Sequence, residues 1–475
     1  MRSMSDKKLG LFSLVALVIG SMIGAGVFSL PSDIARSAGP GAIALGWLIT
    51  GIGMIALALT YQALANRKPE LDGGIYSYAK AGFGDFIGFN SAWGYWLSAW
   101  LGNVAFLVLL FEAIAYFFPV FENKTMAVLG ASVILWGIHF LVLRGVRDAA
   151  IVNLITTVGK LVPIIFFAIV AVISFKADIF NADFWGTGGG FDMAKVMEQV
   201  RSTMMVTLWV FIGVEGAVVL SGRAERKSDV GKATVLGLVA TLALYVIISL
   251  ASLGVMPKDE LTKLANPTTA YILKSVVGNW GATLINLGLI ISLSGATLGW
   301  TLLAAEIPYV AAKDKVLPSF FAKENENKAP VNSLWITNGL IQLFLIITLF
   351  SESTYQALYT IASAAILVPY LFSALYQLKL SSTGEGYASG ESKAFELFIS
   401  AVASVYALWL IYAAGLEYLL MCAILYAPGA IFYWKAKREA GAKAFGPIET
   451  VLLMGLMAAA VTAIYLMSKG VISPL

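Results

Sequence analysis

Residues 20–31 read GSMIGAGVFSLP, within an apolar run that would otherwise make one continuous membrane helix. Gly20, Gly24 and Gly26 crowd into a single short stretch of it. A glycine inside a helix is roughly 0.5–1 kcal/mol less favourable than alanine, so this concentration at one depth needs a compensating use. Two readings meet that need. The glycines break the helix at membrane depth and free backbone groups for a ligand, or they let helices approach closely, a small-xxx-small pattern that Gly20, Gly24 and Gly46 also fit.

The surrounding composition decides that this is a membrane problem. The chain has 475 residues, 59% of them hydrophobic and only 13% charged, with a mean hydropathy of +0.82. Apolar runs long enough to cross a hydrocarbon core of about 30 Å as helices recur from end to end, so the expected fold class is an all-α polytopic membrane protein. A single Cys and a single His, His139, rule out a disulfide framework and argue against a zinc site or a Ser/His/Asp triad; no cofactor is expected. The apolar runs place about thirteen spans, at 10–36, 41–66, 85–118, 125–143, 149–175, 199–222, 232–256, 281–312, 331–350, 354–379, 394–413, 416–434 and 449–468.

Roughly two thirds of the 32 Lys and Arg fall in alternate connections, among them Lys7, Lys8, Arg67, Lys68, Arg144, Lys313, Lys315, Lys437 and Arg438. By the positive-inside rule those connections and the N-terminus face the cytoplasm.

A second interruption, TLWVFIGVEG at 207–216, falls in the sixth span, with Gly213 and Gly216 around Glu215. The first and sixth spans are five apart. Because five is odd, two five-helix halves insert with opposite topology, the inverted-repeat plan in which interrupted helices meet at the bilayer midplane. The expected halves are 10–175 and 199–379, with 394–468 as additional helices in one transporter domain. Half-helix N-termini with exposed N–H groups suit a substrate carboxylate.

GSMIGAGVFSLP, LDGGIYSYAKAGFG (71–84), YWLSAWLGN (95–103), TLWVFIGVEG, LGWTLLAAE (298–306) and LVPYLF (367–372) together resemble the amino acid/polyamine/organocation superfamily of secondary transporters, and within it the basic amino acid/polyamine antiporters. The resemblance covers nearly the whole chain and implies a LeuT-like 5+5 inverted repeat. It implies that Ser21, Met22, Ile23, Gly24, Ala25 and Gly26 bind the substrate α-carboxylate and that the Ile212 region takes the α-amino group. Trp209 and Trp300 would wall the site, with Asn103 hydrogen-bonding the substrate and Ala362 nearby. Tyr95, Glu215 and Tyr370 would form an inner gate, and Tyr76 a more distal one. At Ala25 and Ala362 the chain departs from the arginine-exchanger pattern, which carries serine at both positions. The additional helix 449–468 resembles the longer arginine/ornithine exchanger branch.

Charges inside spans are costly and mark function. Glu215 beside the helix break can face a wet cavity and attract a cation, and an indole face holds a guanidinium or ammonium by about 0.5–2 kcal/mol. Lys160 in TVGKLVPIIFF either snorkels to the interface or, as the resemblance implies, stands where sodium-coupled relatives bind their ion. There it would hold carbonyls of the first break and the hydroxyls of Ser292 or Ser294, or else couple transport to a proton. Glu112 is either a vestibule acid that draws cations or a hydrogen-bonded packing residue. Glu306 reads as a structural ion-pair partner near Lys313 and Lys315, and His139 as structural.

The expected function is exchange of arginine for ornithine by alternating access in a bacterial inner membrane. The substrates would be small cationic amino acids, the surroundings lipid, and the assembly a monomer or homodimer. The rivals are a proton-coupled amino acid symporter and a precursor/amine exchanger such as arginine/agmatine, lysine/cadaverine or histidine/histamine. An enzyme or a channel would need a convergent catalytic set or a filter-like stretch, and neither is visible.

Overall fold

The computed structural model describes residues 10–71, 74–145, 149–219, 224–350 and 355–472. Lys7, Lys8, Asp72, Gly73 and the end of the sixth expected span lie outside them. Ten helical stretches among the described residues are long and apolar enough to cross a membrane. The pair α1 (Leu11–Met22) and α2 (Gly26–Ser37), bent by 46° at the residues between them, makes an eleventh. The opening stretch is therefore a true break: the helix ends at Met22 and restarts at Gly26.

After it come α3 (Pro40–Arg67), α4 (Asp85–Ala115), α5 (Lys124–Leu143), α6 (Ala149–Ile173), α7 (Met193–Trp209) and α8 (Gly216–Val219). The chain continues through α9 (Lys227–Val255), α10 (Asn279–Lys313), α11 (Val331–Phe350), α12 (Tyr355–Ala365), α13 (Leu367–Thr383), α14 (Ala394–Tyr426), α15 (Gly429–Glu439) and α16 (Pro447–Ser468). One expected boundary needs correction. The sixth span starts at Met193, not at 199, because the Asp192 carboxylate accepts from the N–H groups of Ala194 and Lys195 at 3.0 and 3.2 Å and caps the helix.

The helical stretch Ala394–Glu439 has 46 residues, about 69 Å if straight and twice what a bilayer needs. It is not straight. Glu396 near its start pairs with Arg67 at 2.5 Å, and Lys437 near its end pairs with Asp85. Gly415 between them lies beside Arg201, halfway along α7 and away from the end that holds Arg67 and Asp85. The chain folds back at Gly415, whose φ of 80° and ψ of 157° are not helical. That turn separates the two expected spans 394–413 and 416–434.

Buried residues surround α4, which packs against α10 on one side and α12 on the other. α1 lies on α9, and α6 on α10. The Arg67 end is tied by charges: Arg67 also reaches Glu391 at 2.8 Å, and its guanidinium stacks on Tyr387 with 3.5 Å to the ring centroid. Beside it Lys68 donates to Glu385 at 2.7 Å and holds that carboxyl below its ordinary range.

Candidate functional site between two broken helices

A broken helix leaves its last carbonyls and the first N–H groups of the next segment without helical partners. At the end of α1 nearly every such carbonyl is accounted for. The Lys160 ammonium donates to Gly20 O, Tyr245 OH donates to Met22 O at 3.0 Å, and Ile23 N donates to Ile19 O at 2.9 Å. Lys160 is 2% exposed, so it does not snorkel; its charge is spent on the break. Of its expected hydroxyl partners, Ser294 is exposed and bonds Ile290 O on its own helix. Ser292 is buried without a hydrogen-bond partner. Neither hydroxyl therefore serves Lys160, and the helix carbonyl takes that place.

The second break follows Trp209, where the chain leaves α7 through 210–215. Gly213 turns there with φ +110°, and a β-carbon on it would stand 2.8 Å from the Ser21 backbone. Only glycine fits that approach. The two breaks are joined directly, since Ser21 Oγ donates to Gly213 O at 2.7 Å. Gly26 is equally confined, with Val210 Cγ1 2.7 Å from its would-be β-carbon. The glycines both interrupt the helix and admit a close approach of the two breaks. Gly46, by contrast, serves packing alone, against Thr203.

Between the breaks lies a small cavity lined by Ser21, Met22, Gly24, Ala25, Gly26, Ser98, Ala99, Gly102, Phe106, Trp209, Ile212 and Trp300. In this conformation its free volume is about 20 Å³, room for about one water. Ala25 and Gly26 at the start of α2 line it, and Trp209, Phe106 and Trp300 supply aromatic walls, with Phe106 and Trp209 centroids 5.7 Å apart.

On the Arg67 side the cavity rests on Trp300 and Tyr95, whose rings are 6.2 Å apart, and then on Glu215. That carboxylate is fully buried. It accepts from Tyr370 OH at 2.7 Å and from Gly213 N at 3.2 Å. The Tyr95 hydroxyl faces the same carboxylate without completing a hydrogen bond in this conformation. Farther out, Tyr76 OH donates to Asp314 at 3.1 Å and Lys80 lies 3.6 Å from the same acid.

On the opposite side the covering is thinner. Trp209 Nε1 donates to Tyr355 OH at 2.8 Å, and Tyr359 stacks on the Trp209 ring at 5.5 Å. Asp33, buried in α2, accepts from Gln356 at 2.8 Å and from Arg36 at 3.2 Å. Beyond this layer opens a wide vestibule whose lining includes Glu112, Tyr355 and Gln356. Glu112 is exposed there.

The expected residues thus converge, with three exceptions in position. Ile23, Asn103 and Ala362 are buried behind the lining. Asn103 donates to Thr301 Oγ1 at 3.3 Å, joining α4 to α10, and its Oδ1 has no partner. His139 packs its ring 4.2 Å from Trp335 and meets the Asn338 amide at 3.1 Å, a helix-packing role. Sequence reasoning missed Ser98, Ala99, Gly102, Phe106, Tyr355, Tyr359 and Asp33.

Two half-helix breaks facing one closed cavity inside a bundle of apolar helices define a membrane carrier for a small solute, since irregular backbone at this depth persists only where it lines such a site. The chain belongs to the amino acid permease family, which it matches over residues 9–433, within the amino acid/polyamine/organocation superfamily. It is 51% identical to the arginine/ornithine antiporter of Pseudomonas aeruginosa (strain PAO1) over 475 residues, 98% of either chain. It is 43% identical to the arginine/ornithine antiporter of Latilactobacillus sakei, over 98% of either chain. To the arginine/agmatine antiporter of Chlamydia abortus it is also 43% identical, again over 98% of either chain.

Proposed function

We propose that the chain is a one-for-one exchanger of cationic amino acids, arginine against ornithine, in a bacterial inner membrane with the N-terminus and the Arg67 end in the cytoplasm. The observation that carries it is the cavity between the two breaks, with the start of α2 at one side for a carboxylate and indole faces at the other for a cation. Full-length similarity to arginine/ornithine antiporters supports the choice of pair.

In this reading the substrate carboxylate meets the N-terminal turn of α2 through residues Ser21 to Gly26. The α-amino group lies by Ile212, and the side-chain cation sits among Trp209, Phe106 and Trp300. Asn103, next to Gly102 of the lining, hydrogen-bonds the substrate in this reading. The Glu215–Tyr370–Tyr95 cluster is the inner gate with Tyr76 and Asp314 beyond it, and the present conformation is closed inward. The chain comprises thirteen spans, ten of them in two inverted halves around the breaks. Arginine and ornithine carry equal charge, so exchange is electroneutral and independent of an ion gradient.

A second reading, arginine against agmatine, draws on the similarity to the Chlamydia antiporter; it would move net charge. Labelled arginine uptake into proteoliposomes that are empty, loaded with ornithine or loaded with agmatine separates the two. The first reading expects uptake only with ornithine inside. Uptake into empty vesicles driven by an imposed proton gradient would replace exchange with symport.

A further inference from the structure

The helix α15 has two faces of different character. Gly429, Tyr433, Ala436 and Lys437 are buried, with Gly429 set closely against Trp93 of α4 and Lys437 paired with Asp85 at the start of that helix. Helical spacing puts Ile431, Trp434, Lys435 and Arg438 together on the opposite face. All but the last two are apolar, and all four are exposed. Along the helix this face therefore changes from hydrocarbon-like to basic. Where it changes, the Arg438 guanidinium lies 5.4 Å from the Trp434 ring centroid, an amphipathic ring and a cation of the kind that occupy the head-group level of a bilayer.

The turn after α15 fixes the face at that depth. Phe445 packs on Phe86 and Tyr433 with ring centroids 5.9 and 5.6 Å apart, which seats residues 440–446 on the first turn of α4. Lys443, in this turn, is exposed at the same end. α16 then leaves with little support. It rests on α14 through Ala463 and its neighbours in its second half, whereas residues 447–455 include no buried side chain. Ile448, Val451 and Leu452 there extend the exposed apolar surface beside the basic groups.

Among the described residues, none of Lys435, Arg438 and Lys443 pairs with a carboxylate. The acids nearby are engaged elsewhere: Glu439, which feels the charge of Lys435, accepts from Ser319 N at 2.7 Å, and Glu449 lies by Tyr433. Three unpaired cations at the edge of an apolar seat complement an anion that carries hydrocarbon. A soluble anion would match the charge and leave the seat bare. A zwitterionic head group would bring its own cation against Arg438.

We propose that the outer face of α15 and the 440–446 turn bind one anionic phospholipid, its phosphate held by Lys435, Arg438 and Lys443 and its acyl chains lying along Ile431 and the start of α16. The site does not depend on the exchange reading. It does bear on transport, because α15 is fastened to α4 and α4 supplies one wall of the central cavity.

Two measurements test it. Delipidated full-length protein is titrated with phosphatidylglycerol or phosphatidylcholine, and bound lipid is read by native mass spectrometry. A basic side chain at an anionic head group contributes roughly fivefold, so Lys435→Gln, Arg438→Gln and Lys443→Gln together should weaken phosphatidylglycerol binding on the order of a hundredfold. Arg438→Gln alone should weaken it about fivefold, which keeps the test open if the triple variant does not fold. Phosphatidylcholine binding should stay within twofold in both. Removing the same charge from the same end at Lys315, Lys323 and Lys328, which are also exposed, should leave phosphatidylglycerol binding within twofold. Equal losses in the two triple variants, or no loss in the first, would overturn the site. Excess inorganic phosphate should not displace the lipid; displacement would make a free anion the occupant and refute the lipid. In the second measurement, phosphatidylglycerol with brominated chains should quench wild-type tryptophan fluorescence more than it quenches Trp434→Phe. Equal quenching of the two proteins would place the lipid away from α15.

Discussion

Tyr370→Phe removes one hydroxyl and leaves the ring, so it tests the inner gate with little change in packing. The lost contact is the 2.7 Å bond to the Glu215 carboxylate, between two groups that are fully buried. A hydrogen bond to a charged group contributes about 1.5–3 kcal/mol, which at 1.36 kcal/mol per decade is roughly 10- to 150-fold in an equilibrium. Gly213 N–H remains as a donor at 3.2 Å and Tyr95 stands nearby, so the effect should lie toward the lower end. The bond joins α13 to the break after α7, and under the proposed gate it is made only in the inward-closed state. Its loss therefore shifts the population toward opening at the Arg67 end by the same factor. The readout is thiol labelling at Ser98→Cys, a cavity-lining position, with the native Cys422 replaced by Ala. A membrane-impermeant reagent applied from the Arg67 side should label about ten times faster with Tyr370→Phe than without it. Adding Tyr370→Phe to Glu215→Gln should change the rate far less, because the partner charge is already gone. A labelling rate within twofold of the parent would refute the assignment of this pair as the gate.

Three further outcomes follow from the same geometry. Trp300→Ala should abolish central-site arginine binding, since the ring lines the cavity, in a protein that size-exclusion chromatography shows still folded; undiminished transport would misplace the site. Gly213→Ala should lower the Tm and eliminate binding, because φ +110° adds strain of about 1–3 kcal/mol and the β-carbon falls 2.8 Å from the Ser21 backbone; a circular-dichroism melt with a binding assay checks both. Replacing all sodium by choline should leave arginine/ornithine exchange unchanged, and Lys160→Met should stop exchange at any sodium concentration, because the Gly20 carbonyl loses its donor. Exchange restored to Lys160→Met by sodium would instead show that the position still accepts an ion.

The spans and the two breaks were legible because each is written locally. Hydrocarbon thickness dictates the length of the apolar runs, and Gly26 and Gly213 stand where a side chain has no room. The cavity wall from α4 was not. That helix is buried on nearly all sides, so no amphipathic face distinguishes Ser98, Ala99, Gly102 and Phe106. Their spacing puts them on one side of the helix, a signal readable only once the direction of the break is known. Asn103 stands next to Gly102 with its amide turned toward Thr301. Asp33 carried a plain signal, an acid inside the expected span 10–36, where a charge asks for a partner. Arg36 stands one turn later, and the bond of Asp33 to Gln356 joins positions too distant in sequence to be anticipated.

The two ends of the cavity are closed by unequal means, and the inequality bears on how exchange proceeds. Toward the Arg67 end lie three successive layers: Trp300 with Tyr95, then Glu215 with Tyr370 and Tyr61, then Asp314 with Tyr76 and Lys80. Toward the vestibule there is one aromatic layer, Trp209 with Tyr355 and Tyr359, fastened by Asp33 to Gln356. Rotating a few side chains clears the thin layer, whereas clearing the thick one requires α13 and α10 to move away from the breaks together. A substrate that bonds both breaks at once stabilises their joint arrangement, as the Ser21 to Gly213 bond does in its absence. Binding energy spent on that shared geometry is then available to the larger movement and absent from an empty carrier, which is the physical condition for exchange to be obligatory.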